Sequence, residues 1–417
     1  MPDLFLGIDI GTSGARAIVI DAGGKVHAGG KAAMTEFGTD MREPATWWAA
    51  VRSAVSQALS DIDPADIRAL SVDGTSGTMM GIGENGSPQG KALMYNDACG
   101  DKDVLARIDA AAPQDSSARG ANSALARALM ISADRPFRIV HQADWIAYRF
   151  SGLWVSDENN ALKTGYDLHD RCWPDWIART GFETKLLPPV VEPGEAVGPV
   201  SREAAEKFGL SPETLVVAGT TDGCASFVAT GADTPGDGVS ALGTTLTIKM
   251  LSDRPVSAPE FGIYSHRILG HWLAGGASNT GGNVLLHFFT PEQLEALSGE
   301  IDPESDSGLG YYPLVRPGER FPIADPDLKP RLDPRPDDDA AFLKGLFDGI
   351  ARIEAMAYER LEELGTPPLA SVRSVGGGAA NAVWTRMRAR RLGVPMPPPL
   401  SSEAAYGTAL LALRGAQ

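Results

Sequence analysis

The sequence is poor in the features that mark a secreted, membrane-spanning or nucleic-acid-binding chain. Only three cysteines occur, Cys99, Cys172 and Cys224. An odd number without C-x-x-C spacing supports neither a disulfide framework nor a zinc knuckle, and a reducing, cytoplasmic setting is expected. No run of about 18 uncharged apolar residues is present, and the opening MPDLFLGIDIGTSG has no basic leader, so neither export nor a membrane partner is expected. Basic residues are scarce, 37 Lys and Arg against 53 Asp and Glu for a net charge of −16. That balance leaves no excess to follow a phosphate backbone and argues against nucleic acid as a partner. The six histidines are scattered; His266 and His271 sit across an expected turn and form no metal pair. The phosphate-binding pattern GxxxxGK[ST] is also missing, which disfavours a P-loop enzyme.

What is present is an acidic globular chain of 417 residues with 43% hydrophobic residues, 47 Gly and 30 Pro. At roughly 150 residues per domain this length allows two or three domains. Leu4–Ile10 and Ala15–Asp21 are β-rich runs joined by Gly11-Thr12-Ser13-Gly14, and a third strand is expected after Ala22-Gly23-Gly24. Pro44 then opens a helical pattern through Trp47, Val51, Val55 and Leu59, and Ile67–Val72 reads as a strand entering Asp73-Gly74-Thr75-Ser76-Gly77. The order is βββαβ. The Ala-rich stretch from Ala98 to Arg135 is weakly patterned and irregularly helical. A firmer helix follows at Gln142–Phe150, and strand Leu215–Ala218 runs into Gly219-Thr220-Thr221-Asp222-Gly223 and a helix. Near Gly236 the strand–turn–strand pattern starts again, with Leu242-Gly243-Thr244-Thr245 echoing Ile10-Gly11-Thr12-Ser13. A duplicated fold follows, hinged near Ala232–Asp237. The second half adds a long amphipathic helix, Asp337–Leu364, a strand Ser371–Val375 breaking into Gly376-Gly377-Gly378, and two closing helices.

Three glycine-rich turns each follow a β-run, where backbone N–H groups and hydroxyls approach phosphate oxygens unhindered by a Cβ. Asp9 lies inside the apolar run LFLGIDI, and an unpaired buried charge there is costly enough to suggest a metal or hydrogen-bond role. Asp222 ends a strand and opens a helix, the position of cleft residues in open α/β sheets, and suits a base that takes a proton from an attacking alcohol. Asp73, Thr75, Ser76 and Tyr95-Asn96-Asp97 are further polar strand ends fitted to a polyhydroxylated ligand. Lys163 and Arg127 are candidate anion contacts, with solvation at the surface the preferred reading for both. Cys224 lies near Asp222, with no histidine-rich segment to activate it.

The segments LGIDIGTSGARAIVID, SVDGTSG, DWIAYRFSGLWVSDENNALKTGYD, VVAGTTDGCAS, ALGTTLTIKM, VGGGAANAVW and SEAAYGTALLA follow one another as in the FGGY carbohydrate kinases of the actin-like ATPase superfamily. The chain resembles that family over essentially its whole length, and its short D-ribulose kinase branch most. The resemblance implies an α/β fold of two ribonuclease H-like domains, with mixed βββαβαβ sheets flanking a central cleft that closes on sugar and MgATP. The expected division is 1–232 and 233–417. By position, Asp222 resembles the catalytic base and Asp9 the magnesium-linked carboxylate, Asp222 also facing the metal. Gly11, Thr12 and Ser13, with Arg16, resemble the first phosphate loop, and Gly243, Thr244 and Thr245 the second. Gly376, Gly377, Gly378 and Asn381 match the adenosine motif. Ser76 and Asp97, together with Asp9 and Asp222, fall where sugar contacts are expected. Larger relatives carry W-x-D-x-R where this chain has Tyr95-Asn96-Asp97-Ala98-Cys99, without the Trp and Arg. The implied activity is ATP- and Mg²⁺-dependent phosphorylation of the terminal hydroxyl of a ketopentose, D-ribulose first and D-xylulose as the alternative. A rival class is an actin-like ATPase binding module without sugar kinase activity. The partners implied are a small sugar and ATP, and the assembly a monomer or homodimer.

Overall fold

In a computed structural model, which describes residues 3–417, the chain divides into two compact units. The first comprises residues up to Ala229 together with His266–Leu269 and Glu403–Gln417; the second comprises Thr230–Ser265 and Gly270–Ser402.

The first unit is built on a six-stranded mixed sheet. Its central strand, Leu4–Ile10, is buried along its whole length, and so reads as an apolar run rather than an alternating one. It pairs antiparallel with Gly14–Asp21, which pairs antiparallel with Val26–Ala33, and on its other side it runs parallel to Ile67–Gly74. Strand Leu215–Val217 continues the sheet parallel to Ile67–Gly74. Helix Pro44–Ala58, opened by a proline at its first turn where a missing N–H is tolerated, buries Trp47, Val51 and Val55 against the sheet. Helix Ala404–Gly415, at the end of the chain, lies on the opposite face. A Cβ on Gly7 would fall 2.0 Å from Ala405 O, and one on Gly407 would fall 2.0 Å from Ala225 O in helix Asp222–Ala229. Glycine at both places lets sheet and helices meet backbone to backbone.

A smaller sheet joins Met79–Ile82 to Pro88–Leu93 on one side and Arg138–His141 on the other. The Ala-rich stretch resolves into helices Lys102–Ala111 and Ala124–Ser132.

The second unit repeats the plan of the first. Strand Asp237–Leu242 pairs antiparallel with Leu246–Ser252, which pairs antiparallel with His271–Ala277. On the other side it runs parallel to Ser371–Val375. Helix Asp339–Glu363, N-capped by the Asp338 carboxylate on Ala340 N, packs Phe342, Leu346, Ile350 and Ile353 into the core. The βββαβ order read in the first half of the sequence thus occurs in both units.

Candidate active site

In the first unit, parallel register places Asp9 directly beside Asp73 at the ends of their strands. Both are buried, Asp9 at 5% and Asp73 at 0% exposure. Arg16 Nη1 donates to Asp9 Oδ2 at 3.3 Å, and the same guanidinium meets Glu403 at 3.3 Å. Asp73 is met by a hydroxyl instead: Thr408 Oγ1, from the last helix, donates to its Oδ2. Burial, and then the adjacent Asp9 charge, hold the Asp73 carboxyl well above the usual carboxylate range against that hydroxyl's opposing pull. Burial also raises Asp9, opposed by the Asp73 carboxyl and by Arg16. Two acids this close and this dry do not both ionise freely, so the pair holds one charge more readily than two.

Asp222 is drawn to the same place by the sheet. Thr221 bridges Gly74 in parallel fashion, and Asp222 begins the helix that follows, its Oδ1 accepting from Gly223 N at 2.7 Å. The negative charge of Asp222 contributes to the raised Asp73 carboxyl. Gly11–Gly14 closes the hairpin next to Asp9 with a Gly11 N to Gly14 O bond of 3.0 Å, leaving Thr12 and Ser13 exposed.

The loop carrying Ser76 is tied down by its neighbours. Gln142 Oε1 accepts from Thr75 N at 3.0 Å and from Thr75 Oγ1 at 2.7 Å, and Thr75 Oγ1 accepts in turn from the Thr78 hydroxyl at 2.7 Å. Ser76 Oγ is buried with no hydrogen-bond partner among the described residues. Arg127 proves to be a structural clamp rather than a solvated surface residue. It is 1% exposed, and donates to the carbonyls of Gly77, Tyr95, Asp97 and Asn122 at 2.8–3.2 Å. Desolvation lowers its guanidinium to about 10. One buried cation therefore joins the Ser76 loop to the Tyr95–Asp97 segment, four carbonyl dipoles compensating its charge. The Asp97 carboxylate itself is held by Arg42 through two bonds, 3.1 and 2.6 Å, and by Met94 N at 2.8 Å. Arg42 supplies from another segment a guanidinium that the Tyr95–Cys99 stretch lacks.

In the second unit, Gly243, Thr244, Gly377, Gly378 and Asn381 line a cavity of ≈ 700 Å³, a size suited to a cofactor-sized ligand. Its apolar wall includes Leu286, 58% exposed, and the stacked pair Phe347–Trp384, whose ring centroids are 5.0 Å apart. Strand Ser371–Val375 ends at Gly376, whose φ of 84° and closeness to Leu242 O exclude a side chain. Asn381 caps helix Ala382–Leu392 by accepting from Trp384 N at 2.9 Å, and donates to Ser298 Oγ at 2.8 Å. The turn at Ser278–Gly282 is fixed by buried Glu319, which accepts from Ser278 Oγ, Asn279 N and Tyr312 OH at 2.6–3.0 Å. Gly282 N in turn donates to Gly243 O at 2.8 Å, holding the second hydroxyl-rich loop.

The arrangement is a set of strand-end carboxylates in one unit and a glycine-walled, part-apolar pocket in the other. Residues 4–105 and 130–229 match the N-terminal domain of the FGGY family of carbohydrate kinases, and residues 238–416 match its C-terminal domain. The chain belongs to that family and is a sugar kinase, a phosphotransferase drawing on ATP. It is 28% identical over 426 residues to a xylulose kinase of Streptomyces coelicolor, covering 96% of this chain and 85% of the relative. It is 26% identical over 462 residues to an autoinducer-2 kinase of Yersinia enterocolitica, covering 98% and 86%. Its fold superimposes on a crystal structure described as a xyloylose kinase from Brucella ovis with a TM-score of 0.85 at 22% identity, covering 99% of this chain and 90% of that one. No helix among the described residues is long and apolar enough to cross a membrane.

The family generally works with Mg²⁺, and the first unit offers a hard, all-oxygen donor set to receive it. Asp73 Oδ1 is buried without a hydrogen-bond partner behind Asp9. No group of three or more acidic, cysteine or histidine side chains disposed to ligate a metal occurs among the described residues. Mg²⁺ keeps most of its waters and leans on one or two carboxylates and substrate phosphates.

Proposed function

We propose that the protein transfers the γ-phosphoryl group of ATP to the terminal hydroxyl of a ketopentose, with D-ribulose giving D-ribulose 5-phosphate as the first substrate to test. The observation that carries the chemistry is Asp222 at the start of its helix, just after the Thr221–Gly74 bridge and next to the buried Asp9–Asp73 pair. Asp222 accepts the proton of the attacking hydroxyl, and the rest of catalysis is positioning and charge neutralisation. Asp9 and Asp222 would hold Mg²⁺, which neutralises phosphate charge when bound. Thr12, Ser13 and Arg16, near Asp9, donate to phosphate oxygens on this reading, and Thr244 does the same from the second hydroxyl-rich loop. The adenosine lies against Gly377, Gly378 and Asn381, its base on the Leu286 side of the cavity. Ser76 offers an uncommitted hydroxyl to the sugar, and the Arg42–Asp97 pair is the second sugar-facing group.

D-Ribulose rests on the motif resemblance, above all Asp73-Gly74-Thr75-Ser76-Gly77 and the altered Tyr95–Cys99 segment. D-Xylulose is the second reading, favoured by the names of several relatives. A panel of ketopentoses and polyols, read by ADP release with identification of the phosphorylated product, decides between them. The proposal expects D-ribulose to give the highest kcat/KM and phosphate on the terminal carbon. If no sugar raises turnover above the basal ATPase rate, the protein is a nucleotide-driven binding module instead. Cytoplasmic location is part of the same reading, because three free cysteines suit a reducing compartment.

A further inference from the structure

A second cavity, of ≈ 630 Å³, opens in the first unit at the end of the small sheet where Ile82 pairs with Pro88 and with Arg138. Its charged lining is Arg135, Arg138 and Lys185 against the single carboxylate of Glu84. Three cations to one acid is the reverse of the chain as a whole, which carries −16. Most arginines here are engaged with carboxylates or carbonyls. Arg135 and Arg138, by contrast, form no ion pair and no side-chain hydrogen bond among the described residues, and Arg138 Nε is buried without a partner.

The backbone holds these groups toward the cavity. Arg135 adopts a left-handed φ of 51° at the turn that precedes Pro136, an uncommon conformation for a residue with a Cβ. Gln89 Nε2 donates to Asp134 O at 2.8 Å, and Phe137 N donates to Ile82 O at 2.8 Å, fixing that turn to the neighbouring hairpin. Phe137 is 50% exposed on the cavity lining, and the Arg138 guanidinium sits 5.3 Å from its ring centroid. Lys185 is exposed, its partner being the likewise exposed Glu183 at 2.5 Å.

We propose that this cavity binds a phosphate monoester, the dianion held by Arg135, Arg138 and Lys185 and the organic body lying on Phe137. Guanidinium groups recognise phosphate through paired N–H donors, and two that lack carboxylate partners have donors to spare. The cavity volume admits a body of metabolite size. The site is independent of which sugar is phosphorylated. It also lies at the opposite end of the small sheet from the Met79–His141 pairing, which leads into Thr78 and Gln142 beside the Ser76 loop.

The test is calorimetric titration of the full chain saturated with ADP, using phenyl phosphate, glucose 6-phosphate and inorganic phosphate as probes. At least one of the two esters is expected to bind one to one and more tightly than inorganic phosphate, and more weakly as salt is raised. Phenyl phosphate ahead of glucose 6-phosphate identifies a ring-bearing ligand stacked on Phe137; the reverse order identifies a phosphorylated sugar. Arg138→Gln and, separately, the exposed pair Arg135→Gln with Lys185→Gln are each expected to weaken binding at least about tenfold with the melting temperature unchanged. Absence of binding by either ester at millimolar concentration overturns the proposal. So does equal affinity in the Arg135→Gln/Lys185→Gln variant, which places the anion at the hydroxyl-rich phosphate loops instead.

Discussion

Strands Leu4–Ile10 and Asp237–Leu242 occupy the same place in their two sheets. Each has an antiparallel hairpin partner on one side and, on the other, a parallel strand that enters a glycine-rich turn. What differs is the residue two places before the hairpin glycine: Asp9 beside Asp73 in the first unit, Ala241 beside Val375 in the second. The duplicated frame therefore divides its labour by side chain. On the proposed reading, one copy supplies the acids for phosphoryl chemistry, and the small and apolar residues of the other leave room for a nucleoside. Buried charge is treated differently as well. In the first unit Asp73 meets a hydroxyl rather than a cation. In the second, fully buried Glu354 meets Arg388 through two bonds of 2.6 Å, with Ser240 Oγ as a further donor. Asp73 is thus left to a hydroxyl and its neighbouring acids, whereas Glu354 is neutralised by its own cation.

The largest effect that can test this contrast is Arg388→Met. It leaves Glu354 buried and unpaired, and is expected to remove about 3–5 kcal/mol of stability, measured by denaturant titration. A loss under about 1 kcal/mol would mean that the pair does not organise the second unit. Next comes Gly377→Val. No atom lies within 4 Å of a Cβ placed on Gly377, so folding should tolerate the change while the side chain fills the nucleotide cavity. ADP affinity is expected to fall about tenfold or more, roughly 1.4 kcal/mol, with an unchanged melting temperature; unchanged affinity would move the adenosine elsewhere.

A further expected effect is spread over pH and belongs to the first unit. Burial, with Arg127 and Lys163 adding repulsion, depresses His141 to about 3 from its ordinary 6.5. The unfolded chain takes up this proton near pH 6.5 and the folded chain does not, so the contribution is present above 6.5 and drains as pH falls toward 3. The loss is about 1 kcal/mol per pH unit in that window. Asp157, raised by burial to about 6, acts in the opposite sense, favouring the folded state increasingly as pH falls from about 6 toward 3.8. Comparing wild type with His141→Gln by denaturant titration isolates the histidine. The variant should gain on wild type steadily below pH 6.5, and parallel stability curves would refute a neutral buried imidazole.

Much of this organisation was legible in the residues. The fully buried strands announce themselves as apolar runs, and the echo between Ile10–Ser13 and Leu242–Thr245 exposes the repeated hairpin because glycine and hydroxyl residues are required at both loops. Asp9 stood out as a charge in an apolar strand. Arg127 did not, since a cation in an Ala- and Leu-rich helix looks like the solvated residue of an amphipathic pattern, and its four carbonyl partners come from distant turns. Arg42 and Asp97 are 55 positions apart, and only tertiary structure joins them. Asp73 read as one polar strand end among several, because its register with Asp9 depends on a parallel pairing that no local pattern specifies. The small sheet is hidden for a simpler reason: its strands are four to six residues long and one of them, PQGKAL, has no β-branched or aromatic residue.

The central claim is that acid chemistry resides in the first copy of the frame and nucleotide binding in the second. Single-turnover phosphorylation by Asp222→Asn, measured alongside its ADP affinity, tests that division most directly. The account predicts a rate about 10²–10⁴-fold lower with ADP affinity within about twofold of wild type. A folded variant that phosphorylates sugar at the wild-type rate would contradict it.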